Sequence, residues 1–238
     1  VSEQRYLDLG YQHEKLVNTG NLKFDLEITE HLREKVFETV EALNISKRLV
    51  WIAGSTHEGE EKMILNAHQE LLKKHPDLLL ILVPRHPERF NQVEELIQKS
   101  GLSYKKRSQF EPLEQTIQVL LGDTMGEMMV LYGLAEIAFV GGSLVKHGGH
   151  NPLEPIAFEL PVISGVHTYN FPEIFDKLRS VHGVIEVESS AALAQTVAFL
   201  LENRNAREKI ARYGFEVLKE NQGALARHLH LLAPYLEK

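Results

Sequence analysis

The sequence predicts an α/β fold, a mostly parallel sheet with helices on both faces, and three observations carry that prediction. Short apolar runs rich in β-formers recur along the chain. Stretches with helical spacing separate most of them. The strand-like runs are apolar without alternation, as in "LLLILV" (78–83), which suits a sheet covered on both sides.

Taken in order, the first 25 residues are irregular and read as a connecting segment plus one strand. Strands are then expected in "RLVWIAG" (48–54), "LLLILVP" (78–84), "LSYKKR" (102–107), "TIQVLL" (116–121), "EIAFVGG" (136–142), "LPVISG" (160–165) and "GVIEVE" (183–188). Between the first two, "EGEEKMILNAHQELLKKH" (58–75) places Met63, Ala67, Leu71 and Leu72 on one helical stripe. Ser55 and Glu58 have the spacing of a capping box at its start. "ERFNQVEELIQKSG" (88–101) closes on a Lys-Ser-Gly helix stop. From Ser189 onward the chain reads as helical throughout. No repeat, low-complexity segment or internal linker interrupts residues 45–238.

Composition narrows the function classes. Hydrophobic content of 43% and charged content of 25% are those of a globular protein. A formal charge of −7 gives no electrostatic footprint for nucleic acid. There is no cysteine, which excludes disulfides, thiolate metal sites and thiol nucleophiles. No apolar run approaches the ~20 residues that span a bilayer, and the first residues do not form a signal peptide. The missing initiator Met hints that the chain is a fragment.

Ligands of open α/β sheets bind beyond the carboxyl ends of the strands, and five strand ends here run into loops of Gly, Pro, His and small polar residues. They are "GSTHEGEE", "PRHPER", "GDTMGEMM", "GGSLVKHGGHNPLEP" and "SGVHTYNFPE". In the fourth, Gly141-Gly142 let the chain turn off its strand and admit a ligand to the backbone. Gly148-Gly149 repeat this before a helix that Asn151 caps and Pro152 opens. Free amides at that helix start, with Lys146 nearby, form an anion site suited to phosphate. Glu154 would repel a phosphate unless it points aside to accept sugar hydroxyls. Phosphate with sugar hydroxyls means a nucleotide.

Plainer explanations stand beside these. A Gly-Gly loop before Asn-Pro is often only a tight connection. His147 and His150 have metal-ligand chemistry but no clear third ligand. "GSTHEGEEK" imitates a phosphate loop, yet Glu60-Glu61 replace the required Lys-Ser/Thr, and Glu60, Glu61 and Lys62 read as a solvated face. No Gly-x-Gly-x-x-Gly follows a strand. Arg85, with His86 and Arg89, would clamp phosphate, stack on a base or form a structural salt bridge. "DTMGEM" turns its backbone toward a base edge or merely starts a helix. Neither Ser143 nor Ser164 sits in a nucleophile elbow.

Five segments, "TGNLKFD" (19–25), "WIAGSTHEGEE" (51–61), "LLLILVPRHPERF" (78–90), "GDTMGEMMVLYGLAEIAFVGGSLVKHGGHNPLEP" (122–155) and "NQGAL" (221–225), closely resemble the bacterial 3-deoxy-D-manno-octulosonic acid (Kdo) transferases. The resemblance spans the chain. It implies a Rossmann-like parallel sheet that forms the C-terminal half of a GT-B glycosyltransferase. Residues 1–25 would be the interdomain connector and 26–238 the CMP-Kdo-binding domain, with the N-terminal acceptor domain absent. The implied reaction is inverting transfer of Kdo from CMP-Kdo to a lipid A precursor, lipid IVA, in lipopolysaccharide synthesis. The full-length enzyme would work at the cytoplasmic face of the inner membrane, and this fragment would be soluble.

The family's CMP contacts fall on Pro84, Arg85, Met125, Gly126, Glu127, Asn151, Pro152, Leu153 and Glu154. Phosphate and Kdo would meet Gly142, Ser143, Lys146, Gly149 and His150, with Ser55 and Thr56, beside His57, near the Kdo carboxylate. The resemblance implies no cofactor and no metal, and it leaves the catalytic base to the absent domain, so the fragment is expected to bind CMP without transferring Kdo. Two alternatives remain: another GT-B enzyme on a nucleotide sugar, such as a UDP-sugar epimerase, and a non-catalytic nucleotide-binding domain.

Overall fold

The computed structural model describes residues 2–236; residues 1 and 237–238, the outer ends of the expected connector and domain, lie outside the described residues. In chain order it builds α1 (Ser2–Asp8), α2 (Glu30–Ala42), β1 (Val50–Thr56), α3 (Glu60–Leu72), β2 (Leu79–Pro84), α4 (Phe90–Ser100), β3 (Tyr104–Lys106), β4 (Val119–Leu121), α5 (Met128–Gly133) and β5 (Ile137–Val140). It continues with α6 (Leu153–Ala157), β6 (Val162–Gly165), α7 (Pro172–Ser180), β7 (Ile185–Val187), α8 (Ser190–Glu202), α9 (Arg204–Glu220) and α10 (Ala224–Leu236). The strands form one seven-stranded sheet in the order β3-β4-β2-β1-β5-β6-β7. Every pairing is parallel. Each run read as a strand contains one.

The unalternating strands have the predicted cause. Trp51 and Ala53 of β1, with Leu80 and Leu82 of β2, face a core built by α3, α4 and α8. Their neighbours Val50, Ile52, Leu79 and Ile81 face the opposite core, against α5 and the half-buried Val36 and Val40 of α2. A third core joins Val140 and Val162 to α6, α7 and α9. Both sheet faces are thereby dry, and each fully buried Leu or Ile adds about 1.5–3 kcal/mol of transfer free energy.

Some local expectations fail. No capping box forms at Ser55 and Glu58: α3 begins at Glu60, behind Gly59 at φ 92°, while Ser55 still belongs to β1. Beyond its first turn α3 buries Ile64, Leu65, Ala67, His68 and Leu71, with Met63 and Leu72 half-buried at the margins. Glu60 and Glu61 are not a solvated face. Both are fully buried, and only Lys62 beside them is exposed.

Residues 2–25 contain α1 and two short 3-10 turns in place of the expected strand. Asn21 accepts the amide of Lys23 and winds the second turn. The Asp25 carboxylate then accepts the amides of Gly223 and Leu225, 2.5 Å each, at the start of α10. Burial opposes its charge, but those amides hold its pKa below the ordinary value. Arg227 donates to the Thr19 carbonyl at 2.8 Å. The "TGNLKFD" and "NQGAL" segments thus pin the chain's two ends together.

The strand order places the site. From β1 the chain lays β2, β4 and β3 to one side, then returns to set β5 on the other edge of β1. Between the carboxyl ends of β1 and β5 lies the switch point where such sheets open a crevice.

Candidate functional site

At the switch point two backbones nearly touch. The pairing of β1 with β2 slips between Gly54 and Thr56, and Ser55 bulges out at φ 56°. Gly141, leaving β5, passes so close that a Cβ there would collide with the Ser55 carbonyl. Only glycine permits that approach.

The loop beyond is held by a carboxylate from inside the protein. Glu60 accepts the amides of Gly142 (2.6 Å) and His57 (3.0 Å) on one oxygen. Its other oxygen accepts the amides of Ser143 (3.0 Å) and Leu144 (2.9 Å). Burial pushes its pKa up, and the four amides pull against that rise. With donors on both oxygens, the geometry fits the carboxylate. The Gly141 amide goes to the Gly54 carbonyl and the Gly149 amide to the Gly142 carbonyl, both at 2.8 Å. Of the amides expected to be bare for a phosphate, those of Gly141, Gly142 and Gly149 are therefore spent within the protein.

Glu61 anchors a second strand end. Arg89 grips it at 2.5 and 3.2 Å, and the Thr56 hydroxyl donates to it at 3.0 Å. This settles Arg89 as a buried salt bridge and ties the loop after β2 to α3. Arg85 differs: its backbone amide extends the sheet to the Thr56 carbonyl, while the residue is exposed.

A cavity of about 380 Å³ opens above these ends. Among the residues expected at the site, Ser55, Pro84, Arg85, Met125, Gly126, His150, Asn151 and Glu154 line it. The end of β1 and the loops after β2, β4 and β5 thus converge on one cavity. The Asn151 side chain accepts the Leu153 amide at 3.2 Å, as a cap should, but α6 is only five residues long and its dipole is correspondingly small.

The remaining expected residues lie around the cavity. Glu127 gives its carboxylate to Arg107 (2.8 Å) and Thr124 (2.5 Å). Pro152 and Leu153 are buried under α6, and Thr56 faces Glu61. The Ser143 hydroxyl donates to the Val140 carbonyl and accepts the Gly165 amide. Lys146 is exposed.

Sequence reasoning missed Tyr132, Thr124 and Phe171, which also line the cavity. Tyr132 is hidden in α5, where an aromatic reads as core; its ring packs where Gly54 lacks a side chain. The phenol's pKa is raised, first by burial and then by the negative charge of Glu154. Burial likewise raises the pKa of Glu154, against a hydrogen bond with Asn151 and the charge of Arg85.

His57, buried, makes a 2.7 Å Nε2–Nε2 contact with His150. Burial and neighbouring positive charge lower both histidines to about 4. Among the described residues, no group of three or more His, Asp or Glu is arranged to hold a metal ion. None of the described helices is long and apolar enough to cross a membrane. A larger cleft of about 730 Å³ lies between the N-terminal segment and α10, and of the five strand-end segments it is lined only by Glu173, which sits in α7.

Residues 47–217 match the family of group 1 glycosyl transferases. The whole chain is 54% identical to a 3-deoxy-D-manno-octulosonic acid transferase of Haemophilus influenzae, covering 56% of that protein. It therefore spans about half the length of such relatives. Among solved structures, the C-terminal CMP-Kdo-binding domain of WaaA from Acinetobacter baumannii superposes with a TM-score of 0.76 at 32% identity, over 80% of this chain and 99% of that one. HepE of Anabaena, solved with UDP and glucose, shares the fold at a TM-score of 0.60 and 12% identity, over all of this chain and 61% of that one. The chain belongs to the group 1 glycosyl transferases, where it stands with the Kdo transferases and matches their CMP-Kdo-binding domain.

Proposed function

We propose that this chain is the donor-binding part of an inverting glycosyltransferase that moves Kdo from CMP-Kdo to a lipid A precursor at the cytoplasmic face of the inner membrane. One observation carries the reading: the loops after β2, β4 and β5 bring Pro84-Arg85, Met125-Gly126 and Asn151 with Glu154 around one cavity. Those are the segments that the Kdo-transferase resemblance assigned to CMP.

Roles follow from chemistry. Glu154, half-buried on the wall, accepts the ribose hydroxyls. Gly126, at φ 78°, offers main chain with no side chain in the way, and this loop meets the base. Arg85 supplies a cation for the phosphoryl group. In the reaction the bond from the anomeric carbon to the phosphoryl oxygen breaks, and its electron pair leaves on CMP. An acceptor oxygen attacks from the opposite face. The cation at Arg85 opposes the growing charge on the leaving group. Removal of the acceptor's proton falls to residues beyond these 238, so the chain binds CMP without turnover. No metal or other cofactor takes part.

Calorimetric titration of the chain with CMP and with UDP tests this. CMP should bind more tightly, and Glu154→Ala should weaken it by about 1–3 kcal/mol through the lost ribose acceptor. Preference for UDP sinks the cytidine reading. Unchanged affinity in Glu154→Ala sinks the ribose role.

A further inference from the structure

Four histidines from three loops meet where His150 enters the cavity wall. His57 lies at their centre. Its ring stacks on His147 with centroids 4.2 Å apart, and it meets the edge of His86 at 5.4 Å. Toward His150 the rings are parallel to within 6°, with the two Nε2 atoms 2.7 Å apart. Gly142 gives this pair its room: a Cβ there would stand 3.1 Å from His150 and 3.4 Å from His57.

The contact limits the proton count. A gap of 2.7 Å between two ring nitrogens holds one proton. In the neutral pair, one ring carries N–H at Nε2 and the other at Nδ1. One added proton fits at a free Nδ1 and keeps the contact. A second would put two N–H groups nose to nose. The pair therefore has two states, uncharged and singly positive.

The protein's own surroundings oppose the positive state. Arg85, His86 and Arg89 come from the loop after β2, and Lys146 and His147 from the loop after β5. On the acidic side, Glu60 is saturated by amides, Glu61 is paired with Arg89, and Glu154 is engaged by Asn151 and by the charge of Arg85. An anion beside His150 reverses that balance.

We propose that the His57–His150 pair is a proton-coupled phosphoryl receptor: it gains one proton when the phosphoryl group of a nucleotide settles beside His150, and so presents a cation only while the ligand's charge is there. This rests on the reading of the cavity as a nucleotide site and deepens it. It also supplies charge that the loop amides, committed to Glu60, do not.

The probe is the methyl ester of CMP, whose phosphodiester does not titrate in this range, with cytidine as the phosphate-free control. Calorimetry near pH ~5, between the value of about 4 that both rings hold without a ligand and the range of a free imidazole, in two buffers of different ionisation enthalpy counts the protons taken up. Wild type should take up a measurable fraction of a proton with the ester and none with cytidine. His57→Gln should abolish the uptake and weaken the ester on the order of tenfold; Glu154→Gln should retain the uptake. Ester binding with identical heats in both buffers overturns the proposal, as does uptake that survives in His57→Gln. No saturable heat from the ester in wild type overturns the nucleotide reading, and this inference with it. If His57→Gln does not fold, NMR of 13C-labelled histidines in wild type decides: the His57 and His150 rings should report one shared titration that moves up by on the order of two pH units when the ester binds, and an unmoved titration refutes the coupling.

Discussion

Replacing Glu60 with Gln is a near-isosteric change with a cost that can be counted. One carboxylate oxygen serves Gly142 and His57, the other Ser143 and Leu144. In Gln one of those oxygens becomes an NH2, which has nothing to accept. Whichever way the amide turns, two buried N–H groups face a donor. Each costs about 1–3 kcal/mol, so the variant should lose roughly 2–6 kcal/mol out of a typical 5–15. Urea unfolding near neutral pH measures the loss. Hydrogen exchange locates it: the middle of β1 should speed up only by the global loss, while the amides of residues 142 to 144, robbed of their acceptor, should exchange faster than that loss accounts for. Glu58→Gln, two residues away and exposed, is the control and should stay within ~0.5 kcal/mol of wild type. Should Glu60→Gln match that control, with loop exchange unaltered, the carboxylate does not hold the loop.

Two further outcomes can be measured. Arg89→Met leaves Glu61 buried with only the Thr56 hydroxyl, and breaking such a pair from one side should cost about 3–5 kcal/mol in urea unfolding, against little for Arg204→Met on the surface. His68 accepts the Trp51 indole N–H at 3.1 Å on Nδ1 and donates from Nε2 to the Gln118 carbonyl at 2.9 Å; burial lowers its pKa to about 4. The unfolded chain, with an ordinary histidine near ~6.5, binds that proton more readily, so this stability is complete above ~6.5 and is lost as pH falls toward ~4, about 3 kcal/mol in all. In His68→Gln the fall in stability between those pH values should be smaller by a comparable amount; an equal fall in both proteins refutes the assignment.

The five inner strands, β4, β2, β1, β5 and β6, were legible because each is dry on two faces, and that demand writes itself as an unbroken apolar run. α2 left no such mark. It has no fully buried residue and touches the core only through the edges of Val36 and Val40. The supposed N-terminal strand failed for the opposite reason. Phe24 and its neighbours carry apolar pattern enough, but the polar groups around them are committed to α10, two hundred residues on, and no local pattern records that. Glu60-Glu61 is the sharpest misreading. Adjacent carboxylates usually mean solvent, and their burial makes sense only once Gly142 and Arg89 have been brought to them by the fold. At the cavity, glycine-rich strand ends pointed to Arg85, Gly126, Asn151 and Glu154, whereas Tyr132 and Phe171 look like ordinary core until the walls are assembled.

The glycine pairs after β5 therefore have a different task from the one their composition suggests. Gly141 is bare because β1 passes against it, and Gly142 because two imidazoles roof it. Neither has an amide to offer, since Gly54 and Glu60 hold them. An anion in this cavity gets no amide from Gly141 or Gly142, and the groups on the wall that can carry positive charge to it are Arg85 and His150. A loop that spent its amides on a ligand would change shape whenever the ligand left. One that spends them on a built-in carboxylate keeps its shape empty or filled, and leaves charge matching to groups that move by rotation or by gaining a proton. That division, a fixed main chain with adjustable side chains, is the arrangement that preorganisation asks for at a site where negative charge grows and then departs.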